Sequence, residues 1–314
     1  MAEVIPLKTV PKAEVPAELR VETYFDFQAH PFAHQALFEQ EDINCVCTAI
    51  RAIDGYVTGW LDQNLPALRE QKNVAVYTDS VPGAACIGRF EAIVEEGACF
   101  RPGRVIGGEN ESRWTIHVAA GASVTGCDIY LDKGSIYVGE GTSVEPGVGL
   151  KGPAIIGSEN EIRQGAYLRG DVITGDGCTL RGELKNAVML DKANFPHPSY
   201  VGDSICGYMS HFGNQATAAN LGIFEGLRVP AERKNILLRI GAKTYDLGTP
   251  KMGICLGDYS QVGCNSVSDP GTFLAPKTIV YSLTRIAKGF YGPNEILKNK
   301  PMDHGVIERA AFEE

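Results

Sequence analysis

The chain has no long apolar run and no excess of positive charge, and each absence excludes a class of protein. No stretch approaches the about 20 apolar residues that span a bilayer, so we expect no membrane partner. The formal net charge of −9 argues against nucleic-acid binding as the main task. Aromatic residues make up only 8%, whereas glycine supplies 36 of the 314 residues, which favours a fold rich in tight turns.

Cysteine pairs with the spacing of a metal site are also absent. The nine cysteines are scattered without a Cys-x-x-Cys pair, and we see no secretory signal pattern. We therefore expect free, buried thiols in a cytoplasmic protein, with neither a disulfide framework nor a structural metal.

A ladder of mostly aliphatic residues spaced by six fills the middle of the chain. Its members are Val138, Val144, Leu150, Ile156, Ile162, Leu168, Thr174 and Leu180, and it resumes at Leu256, Val262, Ser268, Leu274 and Val280. A period of six matches neither the 3.6 of a helix nor the 2 of an ordinary strand. It predicts a solenoid of short parallel strands joined by regular turns, whose coils stack to bury their interior.

These patterns divide the chain into a partly helical N-terminal segment over 1–103, a β-helix over 104–283, and a C-terminal tail or cap over 284–314. In the first segment, apolar residues at helical spacing predict a helix over about 41–71. They are Ile43, Val46, Ile50, Ile53, Val57, Trp60 and Leu61.

Two shorter stretches carry expectations of their own. The string Tyr24-Phe25-Asp26-Phe27 is a candidate docking patch for a partner. A short helix near 303–312 is expected to cap the last coil, because the open end of a β-helix needs covering.

The ladder is interrupted over 222–250, and the interruption is basic. Its cations are Arg228, Arg233, Lys234, Arg239 and Lys243, followed by Lys251, against Glu225, Glu232 and Asp246. In an acidic chain this local excess indicates an anionic ligand or an acidic partner. A solvated loop explains the pattern equally well, and both interpretations stay open.

Three polar strings lie within the ladder. They are Gly182-Glu183-Leu184-Lys185-Asn186, Pro196-His197-Pro198-Ser199-Tyr200-Val201-Gly202-Asp203, and His211-Phe212-Gly213-Asn214-Gln215-Ala216-Thr217 with Asn220 beyond it. An imidazole that titrates near neutral pH can deprotonate an amine, and cations can bind a phosphate. From the residues alone, a turn-fixing His197 and an ion pair between Glu183 and Lys185 explain the strings as well.

With Gly-Pro-Ala-Ile-Ile-Gly at 152–157 and Ala-Tyr-Leu-Arg-Gly at 166–170, these strings resemble the C-terminal domain of sugar-1-phosphate nucleotidylyltransferases. Over roughly residues 105–285, the chain resembles in particular the bifunctional N-acetylglucosamine-1-phosphate uridylyltransferase/glucosamine-1-phosphate N-acetyltransferases and their archaeal homologues. The resemblance implies a left-handed parallel β-helix and a homotrimer with active sites between subunits. Nothing in 1–103 resembles the family's Gly-rich nucleotide loop, so we do not expect uridylyl transfer.

The resemblance also implies roles for individual residues. His197 matches the general base that takes a proton from the amine of an amino-sugar phosphate as it attacks acetyl-CoA, and Glu183 matches the neighbouring carboxylate. The implied substrate-binding residues are Arg169, Lys185, Tyr200, His211 and Asn220, and the implied coenzyme-binding residues are Gly213, Asn214, Gln215 and Ala216. His211 stands where the family usually has asparagine, and Gly213-Asn214-Gln215 replaces its usual Gly-Ala-Gly.

Two other functions remain open from the sequence. A non-catalytic trimeric scaffold would explain the altered third string. A zinc enzyme like the γ-type carbonic anhydrases would draw its ligands from His117, His197 and His211, but the close His-x4-His pair of that family is absent. We therefore expect no metal in the β-helix.

Overall fold

The structure is a computed structural model that describes residues 4–109, 113–299 and 307–311. Two compact units divide the chain: residues 53–198, and a discontinuous unit of residues 1–52 with 199–314. The α-helices of the described residues are α1 (Ala36–Glu39), α2 (Val46–Arg69) and α3 (Ile223–Gly226). Short 3-10 helices cover Leu7–Thr9, Lys12–Glu14, Ala17–Leu19, Val21–Thr23 and Pro230–Glu232.

Strands account for most of the remaining chain. After β1 (Val4–Pro6), the strands of the 53–198 unit are β2 (Val74–Thr78), β3 (Ala85–Ile87), β4 (Phe90–Glu95), β5 (Cys99–Arg101), β6 (Arg104–Gly107), β7 (Trp114–Val118), β8 (Ser123–Thr125), β9 (Asp128–Leu131), β10 (Ile136–Val138), β11 (Ser143–Val144), β12 (Gly149–Lys151), β13 (Ala154–Ile156), β14 (Glu161–Ile162), β15 (Tyr167–Arg169), β16 (Val172–Thr174), β17 (Thr179–Leu180), β18 (Glu183–Met189) and β19 (Asn194–Phe195).

The discontinuous unit contains β1 and the later strands. They are β20 (Tyr200–Cys206), β21 (His211–Phe212), β22 (Thr217–Ala218), β23 (Leu237–Ile240), β24 (Lys243–Asp246), β25 (Ile254–Leu256), β26 (Gln261–Val262), β27 (Val267–Ser268), β28 (Thr272–Leu274), β29 (Ile279–Val280), β30 (Arg285–Ile286), β31 (Gly289–Tyr291), β32 (Glu295–Asn299) and β33 (Ile307–Ala311).

Three short strands make one coil in the 53–198 unit, and each strand pairs in parallel with the strand one coil away. Strand β10 pairs with β13, β11 with β14 and β12 with β15. All eight members of the first ladder are at most 1% exposed, which confirms the mainly β class and the parallel solenoid. The parallel pairing already includes β3 with β6 and β4 with β7, upstream of the expected start at residue 104.

Helix α2 confirms the helix expected over about 41–71. The apolar stripe at helical spacing includes Ile53, Val57 and Leu61, each at most 1% exposed. Within the 53–198 unit, the Trp60 ring meets the Tyr137 ring edge-on at 5.3 Å. This part of α2 therefore packs on the coil strands, and this packing fixes the positions of the helix residues that face away from the core.

The discontinuous unit contains coils with the same parallel pairing. Strand β25 pairs with β28, β26 with β29 and β27 with β30. The second ladder, from Leu256 to Val280, is at most 2% exposed. Where the ladder is interrupted, β23 and β24 form an antiparallel hairpin, and β1 pairs with β24 in parallel.

The expected docking patch at Tyr24–Phe27 is wrong for its first two residues. Tyr24 and Phe25 are each only 2% exposed. The Tyr24 ring lies 6.1 Å from that of Phe273, and Phe25 lies 5.9 Å from Phe38. Both aromatic residues belong to the core of the discontinuous unit, because burying them is more favourable than exposing them.

The helix expected near 303–312 is also wrong where the structure describes this stretch. Residues Ile307–Ala311 form strand β33, which pairs antiparallel with β32. Pairing with a strand satisfies the exposed backbone groups of the β32 edge, which a helix cannot do in the same way. The rest of the stretch lies outside the described residues.

Two further expectations concern membranes and thiols. Within the described ranges, no helix has both the length and the apolar character needed to cross a bilayer. The nine cysteines are free thiols, and most are buried.

Candidate functional site

A row of cationic side chains follows one corner of the coils in the 53–198 unit. The register aligns Leu150 with Leu168, and Leu168 with Leu184, and all three side chains point into the core. Because side chains alternate along a strand, the next residue on each strand points outward. These next residues are Lys151, Arg169 and Lys185.

Arg169 and Glu183 form an ion pair within this row. Their strands, β15 and β18, are neighbours in the sheet. Both side chains are partly exposed, at 46% for Arg169 and 35% for Glu183. Glu183 therefore contacts a residue that the resemblance assigns to phosphate binding.

The corner loop between β9 and β10 widens this surface. It contains residues 132–135, whereas the next two corners contain only 152–153 and 170–171. Asp132 accepts a hydrogen bond of 3.0 Å from Lys151 Nζ, and this ammonium lies 6.0 Å from the centre of the Tyr130 ring. The longer loop also carries Lys133, which is exposed.

The row and the loop border a cavity of about 470 Å³, which we call the cationic pocket. Its charged lining residues are Lys133, Lys151, Arg169, Lys185, Asp54 and Asp171, together with the phenol of Tyr167. Asp54 comes from helix α2 and the others from the coils. A pocket with several ammonium and guanidinium groups is suited to phosphate, since charge-assisted hydrogen bonds to phosphate are strong.

His197 lies in the turn between β19 and the strand that begins at Tyr200. Its side chain is exposed and makes no hydrogen bond or ion pair to another described residue. Its ring is thus accessible to a ligand, and no neighbouring carboxylate orients it. Within the described residues of one chain, the Glu183 carboxylate pairs with Arg169.

Tyr200 and Asn220 come together in the discontinuous unit. The Asn220 side-chain amide donates to the Asp203 carboxylate. A Cβ placed on Gly202 would lie 2.5 Å from Tyr200 Oη and 2.8 Å from Asn220 Nδ2. Because Gly202 has no side chain, the Tyr200 phenol and the Asn220 amide can both occupy the space beside it.

The string Gly213–Ala216 forms the turn between β21 and β22. Ala216 N donates to Gly213 O at 3.1 Å, and Gln215 has a left-handed φ of 59°. A Cβ on Gly213 would lie 2.6 Å from the Cys264 backbone nitrogen, so the glycine allows two turns to stack. His211, at the start of this string, is half-buried, and its backbone N–H donates to Ser260 O.

The three histidines considered for zinc differ in their surroundings. His117 is fully buried and stacks on Tyr137 with ring centres 5.2 Å apart. Its Nε2 lies 3.1 Å from Glu95 Oε1, without the alignment of a hydrogen bond. Burial lowers the pKa of His117, and the nearby Glu95 carboxylate opposes this shift. Within the part of the chain that the structure describes, no three His, Cys, Asp or Glu side chains form a group able to hold a metal ion.

Sequence reasoning missed several residues of the cationic pocket. It named Arg169 and Lys185, but not Lys133, Lys151 or Asp54. The spacing of Lys133, Lys151 and Arg169 by 18 residues, the length of one coil, was a usable signal. No comparable pattern marks Asp54, because its place depends on how helix α2 packs.

No protein-family model matches the chain. Several curated proteins show significant sequence similarity to the chain. The bifunctional sugar-1-phosphate nucleotidylyltransferase/acetyltransferase of Sulfurisphaera tokodaii is 28% identical over 159 residues, which cover 44% of this chain and 38% of that protein. The bifunctional protein GlmU of Trichodesmium erythraeum is 30% identical over 176 residues, covering 55% of this chain and 30% of that protein. The chain thus spans well under half the length of these relatives.

Among solved structures, the UDP-N-acetylglucosamine acyltransferase of Francisella novicida is 12% identical, with a TM-score of 0.43 and 70% of each chain covered. The polysialic acid O-acetyltransferase OatWY is 13% identical, with a TM-score of 0.30, covering 70% of this chain and 83% of that one. These likenesses are too weak to support an argument about function. The chain is a parallel β-solenoid protein related in sequence, over about half its length, to the bifunctional sugar-1-phosphate nucleotidylyltransferase/acetyltransferases.

Proposed function

We propose that the protein is a cytoplasmic N-acyltransferase that moves an acetyl group from acetyl-CoA to the amine of an amino-sugar phosphate. His197 acts as the general base, at the interface of a homotrimer. One sequence relative is named as a bifunctional sugar-1-phosphate nucleotidylyltransferase/acetyltransferase, which supports this class of reaction.

The cationic pocket is the observation that carries the proposal. Arg169 and Lys185 line one cavity, and both match phosphate-binding positions of the resembled family. Their row of cations lies in a chain whose net charge is −9, so the positive lining is a local feature rather than a general property of the surface. A guanidinium group and an ammonium group both donate strong, charge-assisted hydrogen bonds to phosphate, so phosphate is the anion that this pair is best suited to bind.

The exposed ring of His197 supports the second half of the proposal. In the reaction, the neutral amine attacks the thioester carbonyl carbon, a C–N bond forms, and the C–S bond breaks. Imidazole takes the proton that the amine loses, and the departing coenzyme A thiolate is protonated to the thiol. Base catalysis of this kind is efficient because an imidazole pKa lies near neutral pH.

The direct test is a thiol-release assay with acetyl-CoA against a panel of amino sugars and their phosphates. We expect coenzyme A release with an amino-sugar phosphate and a much lower rate with the unphosphorylated sugar. A Lys185→Gln variant should raise KM for the phosphate about ten-fold or more, since a charge-assisted bond is lost. No release with any acceptor would overturn the proposal.

A non-catalytic scaffold that binds sugar phosphates is the second candidate. The observation in its favour is that Glu183 pairs with Arg169 rather than with His197, so the base lacks the neighbouring carboxylate expected for it. In that case the protein would bind an amino-sugar phosphate in the thiol-release experiment without releasing coenzyme A.

A further inference from the structure

A short stretch of the discontinuous unit exposes several large apolar side chains to solvent. Four of them within seven residues are more than half exposed, namely Ile223 at 83%, Phe224 at 75%, Leu227 at 85% and Val229 at 59%. We call residues 223–229, which include helix α3, the apolar segment. Contiguous exposed apolar surface is typical of sites that contact another molecule. We therefore expect a surface outside the single chain to cover this segment.

Cations lie beside the apolar segment. Residues 223–234 hold three cations and two carboxylates, a net charge of +1: Arg228, Arg233 and Lys234 against Glu225 and Glu232. The Arg228 guanidinium pairs with Glu225 at 3.3 Å. Arg233 Nε donates to the backbone oxygen of Glu225, but neither Arg233 nor Lys234 forms a side-chain ion pair with a described residue. These two cations can therefore each take a carboxylate from a partner.

A cavity of about 380 Å³ in the same unit has an apolar wall, and we call it the aromatic cavity. Its apolar lining residues are Val21, Phe25, Phe27 and Phe38. The ring centre of Phe38 lies 5.1 Å from that of Phe27 and 5.9 Å from that of Phe25. The three rings thus pack on one another, so the wall is formed before a partner arrives.

The aromatic cavity is also acidic. Its charged lining residues are Glu22, Asp26, Glu39 and Lys12, which give a net charge of −2. The hydrogen bonds that Asp26 and Glu39 accept come from uncharged N–H groups. Across the ranges that the structure describes, none of the three carboxylates forms an ion pair. Their charge is therefore not neutralised within the chain.

We propose that the apolar segment of one chain docks in the aromatic cavity of a second copy of the chain. The apolar side chains then meet aromatic rings, and Arg233 and Lys234 meet carboxylates, so hydropathy and sign of charge both match. Within one chain the segment is exposed, so it does not fill its own cavity. An anionic membrane also takes apolar residues beside cations, but it would leave the acidic cavity without a partner.

The contact is head-to-tail, because the segment and the cavity are different surfaces. Contacts of this kind close into rings when the rotation between copies allows it. The inference goes beyond the proposed function and rests on neither acyl transfer nor the cationic pocket. It adds one specific contact to the homotrimer proposed above.

Sedimentation velocity of the full chain tests the contact. Phe224→Asp should weaken self-association about ten-fold or more, because it places a carboxylate against aromatic rings and other carboxylates. Ile87→Asp is the matched control, since Ile87 is 63% exposed and lies in the other unit, and it should leave self-association unchanged. Thermal unfolding verifies that both variants are folded.

Mixing two defective chains tests which surfaces meet. Glu22→Lys/Glu39→Lys reverses the charge of the cavity and should also weaken self-association about ten-fold or more. An equimolar mixture of this variant with Phe224→Asp should form a complex of two chains, since one keeps an intact segment and the other an intact cavity. A mixture that stays dissociated would overturn the inference, because the segment would then meet a different surface.

The outcomes separate this contact from the proposed function. A Phe224→Asp chain that keeps the wild-type oligomeric state would overturn the contact and leave the homotrimer standing. A monomeric wild type would overturn both, whether or not the chain binds vesicles of anionic phospholipid. The thiol-release assay reports acyl transfer separately, so its failure does not bear on the contact.

Discussion

The coils of residues 114–198 and those of residues 199–286 bury the same kind of side chain and differ in what they present outward. Leu150 and Leu168 in the first set, and Leu256 and Leu274 in the second, are fully buried. Both sets pair in parallel with the same three short strands per coil. Their interiors therefore give no reason for different functions.

The outward corner separates the two sets. In the first set, the residues that follow the inward position of the third strand of each coil are Tyr130, Lys151, Arg169 and Lys185. In the second set the equivalent residues are Gly202, Ala219, Asp269 and Ala287. One fold thus carries a row of cations in one region and none at the same coil position in the other.

The largest effect we expect is on catalysis, at an outward residue. His197→Ala should lower kcat by about 10² to 10⁴, the usual contribution of a general base. Binding of an amino-sugar phosphate and the free energy of unfolding should stay near wild type, since the side chain is exposed and makes no hydrogen bond or ion pair to a described residue. Steady-state kinetics with calorimetric binding measures both.

An unchanged kcat in His197→Ala would remove this histidine from the mechanism. A loss of kcat accompanied by an equal loss of binding would assign it to substrate positioning instead. Either result would break the distinction between inward residues that stabilise and outward residues that react.

The next effect is on stability, at inward residues of both sets. Leu168→Ala and Leu274→Ala should each reduce the free energy of unfolding by about 2–5 kcal/mol, because each leaves a cavity in a close-packed core. Urea denaturation measures the two variants side by side. A loss several times larger in one set than in the other would show that the two interiors are not energetically equivalent.

A smaller effect is expected at the turn that matches the coenzyme site. Gly213→Ala should cost about 1–3 kcal/mol, since its Cβ would lie 2.6 Å from the Cys264 nitrogen. Gly226→Ala is the matched control, because a Cβ there meets nothing within 4 Å. Thermal unfolding compares them. If both variants unfold alike, the glycine at 213 is not required for packing and its role would lie with the ligand.

The smallest effect concerns the pH dependence of stability. Burial lowers the pKa of His117, so the unfolded chain takes up this proton at a higher pH than the folded protein does. The folded state is therefore destabilised as pH falls below about 6.5, the ordinary imidazole value. His117→Gln should flatten the change in unfolding free energy between pH 7.5 and pH 5.5, measured by urea titration. An identical slope in the variant would show that the Glu95 carboxylate offsets the effect of burial on the pKa of His117.

Local patterns predicted a large part of the fold. The ladder from Val138 to Leu180 identified inward positions, and the stripe in α2 identified a helix, because a period of six and a helical period are both set by residues close in the chain. The same reasoning failed at Ile307–Ala311, which forms a strand. There the unpaired edge of β32, a tertiary feature, overrides the expected helix.

By itself, the sequence determined the class of fold and identified the strings around Glu183, His197 and Gly213 as candidate site residues. Both conclusions depend on residues close in the chain. Only the tertiary structure decided that Glu183 pairs with Arg169, that Tyr24 is buried, and that Asp54 joins Lys133 at one pocket. Coil stacking and helix packing bring together residues far apart in the chain, and no local spacing records such meetings.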